Sequence, residues 1–454
     1  MSGGQHGGGG GIRKMLIVLL LVGGLILVHR FASRTVGFDP SGMLSLGFVI
    51  LVSYAFGEIV GRIKLPHLTG YIIAGLALGP STAELIPTSW RVPPFDHGVL
   101  NEDVIDQMRP LVTLAVALIA LTAGGSLKID ALRRGLRAIL SILGSQMLIV
   151  SACGAAFFLG VSGLVPSLRL PGIGDLDTGS MLALAGVVGS IATLTSPSAT
   201  VAVVSETKSA GTFTSQVLGV VVLKAISAVV LFSIASTLAA IALGEGSGER
   251  SLGLYLLQHV GGSLLSGAIL GVAIALYVRF IKAELLIFLV GVVFTATFVA
   301  SALDLEPILL FIATGFVAGN LSREGDQLLV TVEKLSLPVY VVFFTLAGAR
   351  LHIHELFTLL PFVAGFVLLR ALGIVVGTRV GAAIGGVGAG MRRYGWMAFV
   401  SQAGVTISLA GIVGRSFGER GRAIETLLIA VCAIHELVGP VLLKLSLGFA
   451  GETR

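Results

Sequence analysis

The stretch Thr193-Leu194-Thr195-Ser196-Pro197-Ser198 interrupts an apolar segment that extends from residue 178 to residue 206. Pro197 has no backbone N–H to donate, and its ring clashes with the preceding turn, so a continuous helix is not expected here. The flanking residues are otherwise as apolar as those of a bilayer-spanning helix. Non-helical backbone at membrane depth is tolerated only where it is buried in protein or lines a watery cavity. The stretch therefore predicts a discontinuous helix inside a membrane protein.

A second interruption occurs in the apolar segment 393–415, where Ser401-Gln402-Ala403-Gly404-Val405-Thr406 clusters polar and small residues. The two interrupted segments are seven predicted spans apart, so they run in opposite directions across the bilayer. That arrangement is typical of inverted repeats, whose discontinuous helices meet at the substrate site. An ordinary packing kink is the alternative for either break alone, and the matched pair disfavours it. We expect the two broken helices to cross.

The composition of the whole chain is that of an integral membrane protein. Of its 454 residues, 55% are hydrophobic and only 12% are charged, whereas about 25% of the residues of a soluble domain are charged. Apolar runs long enough to cross a bilayer recur from end to end. They predict an all-α polytopic protein with about 13–14 transmembrane helices. The predicted spans are 14–30, 43–62, 67–87, 108–126, 136–166, 178–206, 214–244, 252–278, 283–303, 305–321, 335–350, 355–385, 393–415 and 423–447.

The first span and the loop charges predict the topology. Residues 14–30 are short enough to be a signal-peptide core, but no clear cleavage site follows, so we expect a retained helix. Alternate loops differ in Lys and Arg content, and the positive-inside rule places the richer set, with both termini, in the cytoplasm. The expected location is the inner (plasma) membrane of a bacterium. No hydrophilic segment of domain size follows the last span, so no cytosolic nucleotide-sensing domain is expected in this polypeptide.

Three other classes of protein are disfavoured. The formal charge of +6 is spread over short loops, where it determines topology, so no nucleic-acid partner is expected. Cys153 and Cys432 lie in apolar runs and are interpreted as small hydrophobic residues rather than as disulfide or metal ligands. No HExxH or GxSxG motif and no pair of catalytic carboxylates occurs at credible spacing, which disfavours an enzyme. No cofactor is expected.

Five segments carry a resemblance to a known family. They are Leu65 to Pro80 (LPHLTGYIIAGLALGP), Leu309 to Asn320 (LLFIATGFVAGN), Pro338 to Gly348 (PVYVVFFTLAG), Gln402 to Val405 and Glu436 to Pro440 (ELVGP). In order and spacing they resemble the cation:proton antiporter superfamily, which includes the sodium/hydrogen exchanger membrane domain. The resemblance implies an exchanger-like domain over residues 43–450, preceded by an extra helix and loop at 1–42. It also implies a core with two crossed broken helices that moves against other helices to alternate access.

The sequence departs from the family pattern at the ion site. The resemblance implies an aspartate on the span after the first break, where it takes a proton or coordinates the cation. Here that position is Ala225, preceded by Lys224. Arg370 matches the basic residue that is typical of the span before the second break. A charge near the centre of a span costs about 2.5–3.5 kcal/mol on insertion scales, so both cations are expected to face the protein interior or a cavity, with a counter-ion.

Other residues are candidate replacements for the missing aspartate. Glu436 lies deep in the last span and is the best candidate for a compensating carboxylate, whereas Glu58 and Glu284 lie near helix ends. Alternatively, Lys224 itself carries the proton, being neutral when a cation is bound and charged after the cation leaves. Neutral oxygen ligands are expected from the backbone and from hydroxyl groups near the crossing, with Gln402 in the second break. The hydroxyl ligands are Thr195, Ser196 and Ser227.

Two functions remain open from the sequence. The first is a secondary active transporter that exchanges a monovalent cation, Na⁺ or K⁺, for protons by alternating access. Its ion site would then differ from the family pattern at Ala225. The second is a non-exchanging member of the fold, which is either a carrier of anions or organic solutes or a transport-dead regulator. Positive charges at helix breaks suit anions, especially next to helix N-termini. An engineered replacement of a native aspartate by Ala225 is a further alternative. The expected partners are the cation, the proton and the lipid bilayer, and a homodimer is left open.

Overall fold

A computed structural model of the chain describes residues 41–85, 87, 99–164, 176–244, 257–281, 284–303, 305–321, 325–351 and 359–453. The predicted first span, 14–30, and the proposed N-terminal element at 1–42 lie almost wholly outside these ranges. The described secondary structure is helical, as the apolar runs predict. The absence of strands among these residues agrees with the all-α class.

The helices are labelled in chain order. They are α1 (Ser41–Arg62), α2 (His67–Leu78), α3 (Pro80–Leu85), α4 (Glu102–Gln107), α5 (Arg109–Ser126), α6 (Ile129–Leu164), α7 (Thr178–Ala192), α8 (Pro197–Glu206), α9 (Thr212–Ala242), α10 (Ser263–Phe280), α11 (Leu285–Ala302), α12 (Pro307–Leu321), α13 (Gly325–Ala349), α14 (Leu360–Ile384), α15 (Ala389–Tyr394), α16 (Gly404–Ser416) and α17 (Gly418–Phe449). A π-helical turn at Leu257–Gly262 precedes α10, and a 3₁₀ helix at Gly395–Phe399 follows α15.

One compact unit contains the described residues up to Val112 and those between Leu337 and Ile353. Two of the motif segments pack on each other in it, because glycines let the helix backbones approach closely. A Cβ at Gly75 would overlap the carbonyl of Thr345, and one at Gly348 would overlap that of Ile72. Such contacts are typical of membrane helices, which associate through small residues.

The second compact unit contains the described residues between positions 113 and 336 and those after position 354. Its helices also pack through glycines: a Cβ at Gly381 of α14 would lie 2.5 Å from the Cα of Ile142 in α6, and one at Gly315 of α12 would overlap the Leu121 carbonyl of α5. Helices α7, α8 and α9 and the second interrupted segment all belong to this unit. The candidate site therefore lies within one unit.

The lengths and compositions of the helices agree with a membrane location. Among the described residues, eight helices are long and apolar enough to cross a bilayer, or nine if the bent pair Ala389–Phe399 and Gly404–Ser416 is one span. Shorter apolar helices occur at His67–Leu78, Pro307–Leu321 and Pro338–Ala349. Large apolar side chains are exposed on the outer faces, for example Leu148 at 74% and Phe298 at 75%. In water such faces would be unfavourable, whereas lipid chains solvate them.

Both sequence interruptions are real breaks in helical structure. The first separates α7 from α8, with residues 193–196 between them. The second lies between Phe399 and Gly404, where the two flanking helices differ in direction by 50°. The helix restarts at Pro197 because Ser196 is an N-cap whose Oγ accepts from the Ala199 N–H at 3.1 Å, and proline is favoured in the first helical turn.

Candidate functional site

The two breaks contact each other through hydrogen bonds between their backbones and side chains. The Ser196 N–H donates to the Ser401 carbonyl at 2.9 Å, and Thr195 Oγ1 donates to the Phe399 carbonyl at 3.2 Å. Gln402 Nε2 lies 3.4 Å from the Ile191 carbonyl. All of these side chains are almost fully buried. The predicted crossing of two discontinuous helices is therefore confirmed, and each break satisfies polar groups that the other leaves free.

Arg370 joins the two breaks from a third helix, α14. Its guanidinium is 1% exposed and donates to three backbone carbonyls: Nε to Ala192 at 2.8 Å, Nη2 to Leu194 at 2.6 Å and Nη1 to Val400 at 2.9 Å. The last carbonyls of a helix have no partner inside it, and they carry the negative end of its dipole. Arg370 thus neutralises the C-terminal ends of α7 and of the 3₁₀ helix together. Among the described residues these carbonyls, rather than a carboxylate, are its hydrogen-bond partners.

Lys224 lies fully buried on α9 and points at the first break. Its Nζ donates to Thr195 Oγ1 at 3.1 Å and to Gln146 Oε1 on α6. The ring of Phe399, in the second interrupted segment, has its centroid 5.9 Å from the same Nζ. An ammonium group has three N–H donors, and cation–π attraction adds to the two hydrogen bonds. Both described hydrogen-bond partners of Lys224 are neutral oxygens.

Gln146 and Thr378 belong to the site but were not predicted from the sequence. Thr378 Oγ1 donates to the Ile374 carbonyl at 2.6 Å and accepts from Gln146 Nε2 at 2.8 Å. These two hydrogen bonds fix the orientation of the Gln146 amide, so that its oxygen faces Lys224. Both residues are buried. An amide inside the predicted span 136–166 is an uncommon residue that could have indicated a polar role.

The other predicted residues have different surroundings. Ala225 is 2% exposed, and its side chain offers no polar atom to a ligand. Ser227 Oγ donates to the Leu223 carbonyl of its own helix at 2.9 Å, so only the lone pairs of this oxygen remain for binding a ligand. Ser196 Oγ shares a hydrogen bond of 2.9 Å with Ser198 Oγ. Glu436 is 1% exposed and lies on α17, which packs along the second break.

Several comparisons with known proteins bear on this fold and site. The family model described as "Sodium/hydrogen exchanger, transmembrane" matches residues 45–450. A curated relative, the probable Na⁺/H⁺ antiporter 3 of Methanocaldococcus jannaschii, is 23% identical over 423 residues, which cover 87% of this chain and 95% of that protein.

Two solved structures of the sodium proton antiporter MjNhaP1 from the same organism have a similar fold. The structure determined at pH 8 has a TM-score of 0.60 at 16% identity and covers 90% of this chain and 96% of that chain. The structure from electron microscopy has a TM-score of 0.64 at 16% identity and covers 89% of this chain and 95% of that chain. At this identity the likeness is one of fold.

Proposed function

Since the chain belongs to the transmembrane sodium/hydrogen exchanger family, we propose that it exchanges a monovalent cation, Na⁺ or K⁺, for protons across a membrane by alternating access. The curated relative from Methanocaldococcus jannaschii is named a probable Na⁺/H⁺ antiporter, and the similarity extends over most of both chains. Two interrupted helices that meet in the protein interior give the fold a substrate site of the kind that such transporters use.

The contact of Lys224 with the first break is the observation that carries this proposal. A cation that binds at the break needs oxygen ligands, and Thr195 Oγ1 and Gln146 Oε1 are the oxygens that Lys224 Nζ occupies. The ammonium and the cation therefore compete for one set of ligands. Two unit charges 4 Å apart also repel by about 4 kcal/mol at an effective dielectric constant near 20. When a cation binds, Lys224 releases its proton, and when the cation leaves, the proton returns.

The remaining ligands in this proposal are neutral. Thr195, Ser196, Ser227 and backbone carbonyls of the breaks supply hydroxyl and carbonyl oxygen, while Ala225 marks the position where the family places an aspartate. Arg370 keeps the two breaks together during transport through its three carbonyl partners. Exchange of one proton on a lysine for one cation needs no carboxylate at position 225.

A second candidate function is favoured by the charges at the crossing. Lys224 and Arg370 are both fully or almost fully buried, and the hydrogen-bond partners described for them are neutral. A site with excess positive charge attracts anions. Under this candidate the protein carries an anion or an organic acid, or it regulates without transporting. The two candidates differ in which ion gradient drives a pH change.

The membrane environment is part of the proposal. The protein is an integral membrane protein, with a lipid bilayer as its solvent. We place it in a bacterial inner membrane with both termini cytoplasmic, because the loops on that side are richer in Lys and Arg. A second copy of the chain, in a homodimer, is one alternative for its oligomeric state.

The proposal is tested in proteoliposomes that contain an internal pH-sensitive dye. Gradients of Na⁺, K⁺, Li⁺ and Cl⁻ are applied one at a time, with choline and gluconate as the replacing ions. Cation-dependent pH changes are expected, independent of the anion. A dye response that follows Cl⁻ instead would favour the anion carrier. No response to any of the gradients by a folded protein would contradict exchange.

A Lys224→Met variant tests the role of the lysine, with the exposed Lys208→Met as the matched control. The control removes a positive charge that is exposed and is expected to leave the flux unchanged. A folded Lys224→Met variant is expected to lose proton coupling. If it keeps full pH-dependent transport, Lys224 is not the proton carrier.

A further inference from the structure

Buried polar atoms without partners concentrate beside the second break. Seven buried side-chain N or O atoms have no hydrogen-bond partner among the described residues, and four of them are Ser401 Oγ, Gln402 Oε1, His435 Nε2 and Glu436 Oε2. Each of these four residues is 1% exposed. Leaving such an atom without a partner destabilises the folded state, so four on two adjacent elements are not expected by chance in a stable fold.

The four atoms belong to two elements that are in direct contact. A Cβ at Gly439 of α17 would overlap the backbone of Ser401, and Cys432 Sγ lies 3.8 Å from the Ala403 carbonyl. Residues 436 and 439 follow residue 432 by four and seven positions, which is about one and two helical turns. The three residues therefore lie on the same face of α17. Glu436 therefore faces the second break from a position between two residues that touch it.

The chemistry of the cluster is that of a cation site. Gln402 Oε1 only accepts hydrogen bonds, since the Gln402 amide nitrogen points at the Ile191 carbonyl, and the oxygens of an ionised Glu436 carboxylate also only accept. His435 Nδ1 lies 3.0 Å from the Val431 carbonyl, which can only accept, so Nδ1 carries the proton and the neutral Nε2 is a further acceptor. Ser401 Oγ has two lone pairs. Acceptors thus outnumber donors among the four atoms, and a bound cation satisfies acceptors.

We propose that Ser401, Gln402 and Glu436 form a binding site for a monovalent cation between the second break and α17. The inference rests on the proposed cation exchange and adds a second binding position for the cation to the one at the first break, where the cation competes with Lys224. One carboxylate, one amide oxygen and one hydroxyl oxygen are hard ligands with a total charge that a monovalent cation neutralises. His435 Nε2 borders the site and accepts a hydrogen bond from a water on the cation.

The charge of Arg370 does not prevent this site. Arg370 lies close to the site, because its Nη1 donates to the carbonyl of Val400, the residue before Ser401. Its guanidinium, however, donates to the Ala192, Leu194 and Val400 carbonyls, which lie at the negative ends of two helices. The remaining repulsion weakens the hold of Glu436 on the cation. A transporter needs a site from which its ion also leaves.

The test measures cation binding separately from transport. Thermal unfolding of the purified protein in detergent is followed while NaCl or KCl replaces choline chloride at constant ionic strength. In the native protein a rise in Tm with cation concentration is expected, because a ligand of the folded state stabilises it. Glu436→Gln keeps the shape of the side chain and removes its charge, and it is expected to abolish this rise. Without cation, the variant should unfold at no lower temperature, since an unpaired buried carboxylate is lost.

The same variants are measured in proteoliposomes. Glu436→Gln is expected to raise the KM for the cation by about tenfold or more, because hydrogen bonds and ligand contacts to a charged group contribute about 1.5–3 kcal/mol. Ser401→Ala, which keeps the backbone carbonyl that holds Ser196, is a milder second variant with an expected increase of a few fold. Glu419→Gln, an exposed position in the first turn of α17, is the matched control and should match the native protein.

The outcomes separate this inference from the proposed function. A Glu436→Gln protein that retains the cation-dependent rise in Tm and an unchanged KM overturns the inference and leaves exchange intact. If Glu436→Gln does not fold, an unchanged KM in Ser401→Ala overturns it instead. If the native protein exchanges no cation but shows a cation-dependent rise in Tm that Glu436→Gln abolishes, the site stands and the proposed exchange fails.

Discussion

Arg370 offers the sharpest test of how the two breaks are held together. Its three hydrogen bonds go to the carbonyls of Ala192, Leu194 and Val400, so its loss leaves three buried acceptors on two helices without a donor. Hydrogen bonds between membrane helices are worth about 0.6–1.7 kcal/mol each, which gives a loss of roughly 2–5 kcal/mol for Arg370→Met. Arg370→Lys keeps the charge, but a single nitrogen cannot span the same three carbonyls, and roughly two thirds of the loss is expected.

The assay is unfolding of the purified variants in detergent mixtures, followed by intrinsic fluorescence and by the loss of helical circular dichroism. Arg379→Met is the matched control, because Arg379 is an exposed arginine on the same helix, α14. A surface substitution of this kind changes stability by about 0.5 kcal/mol or less. If Arg370→Met or Arg370→Lys is as stable as the control, the guanidinium does not hold the breaks, and the reasoning from helix ends fails.

Three further predictions concern other parts of the same unit. Ala225→Asp should create or strengthen cation-dependent proton exchange, since it adds a titratable oxygen beside Lys224; the uncharged Ala225→Asn should not, and an unchanged flux in a folded Asp variant would argue against the alignment. Gly439→Ala should destabilise the protein by about 1–3 kcal/mol because its Cβ would overlap the Ser401 backbone, whereas Gly448→Ala on the same helix has open space and should be neutral or slightly stabilising; equal melting curves would contradict this packing. Glu452→Gln should cost about 1–2 kcal/mol in a denaturation experiment, because the carboxylate accepts from the Phe213 and Thr214 N–H groups at 2.8 Å at the start of α9; a Gln variant as stable as the native protein would show that the charge is not needed there.

The positions of the breaks could be predicted from the sequence because their causes are local. Pro197 cannot continue a helix, and Ser196 before it is a standard N-cap, so the restart of α8 is encoded in two adjacent residues. The second break has no proline, and its polar run predicted an interruption at 401–406, whereas the helix restarts at Gly404. A cluster of small and polar residues indicates that a helix is weak, but it does not determine the residue at which it stops.

The partners of the buried cations could not be predicted, because they depend on tertiary packing. The sequence indicated that Lys224 and Arg370 would face the interior, and both are buried. A counter-ion was expected for each of them, but their hydrogen-bond partners among the described residues are neutral oxygens. Gln146 lies 78 positions from Lys224, and the carbonyls bound by Arg370 are free only because two helices end beside it. Backbone carbonyls without a partner arise from the fold, and since every residue type has a carbonyl, the sequence does not show which of them are free.

Each predicted span from 43–62 onward coincides with a described helix or pair of helices, although some of these are too short or too polar to qualify as a span by themselves. The apolar runs predicted 13–14 spans, whereas eight or nine helices among the described residues meet the length and composition of a span. Part of the difference has a local cause. The predicted span 67–87 is divided into α2 and α3 at Gly79-Pro80, since the proline interrupts the helix there. The span at 14–30 stays a prediction.

The most direct test of the central claim measures cation and proton movement together, in one vesicle preparation. Uptake of radioactive sodium or rubidium is recorded alongside the internal pH for the native protein and for Lys224→Met. The account predicts that cation uptake by the native protein is accompanied by proton efflux in a fixed ratio. It also predicts that Lys224→Met still moves the cation without moving protons. A fixed ratio that persists in a folded Lys224→Met protein would contradict exchange through this lysine.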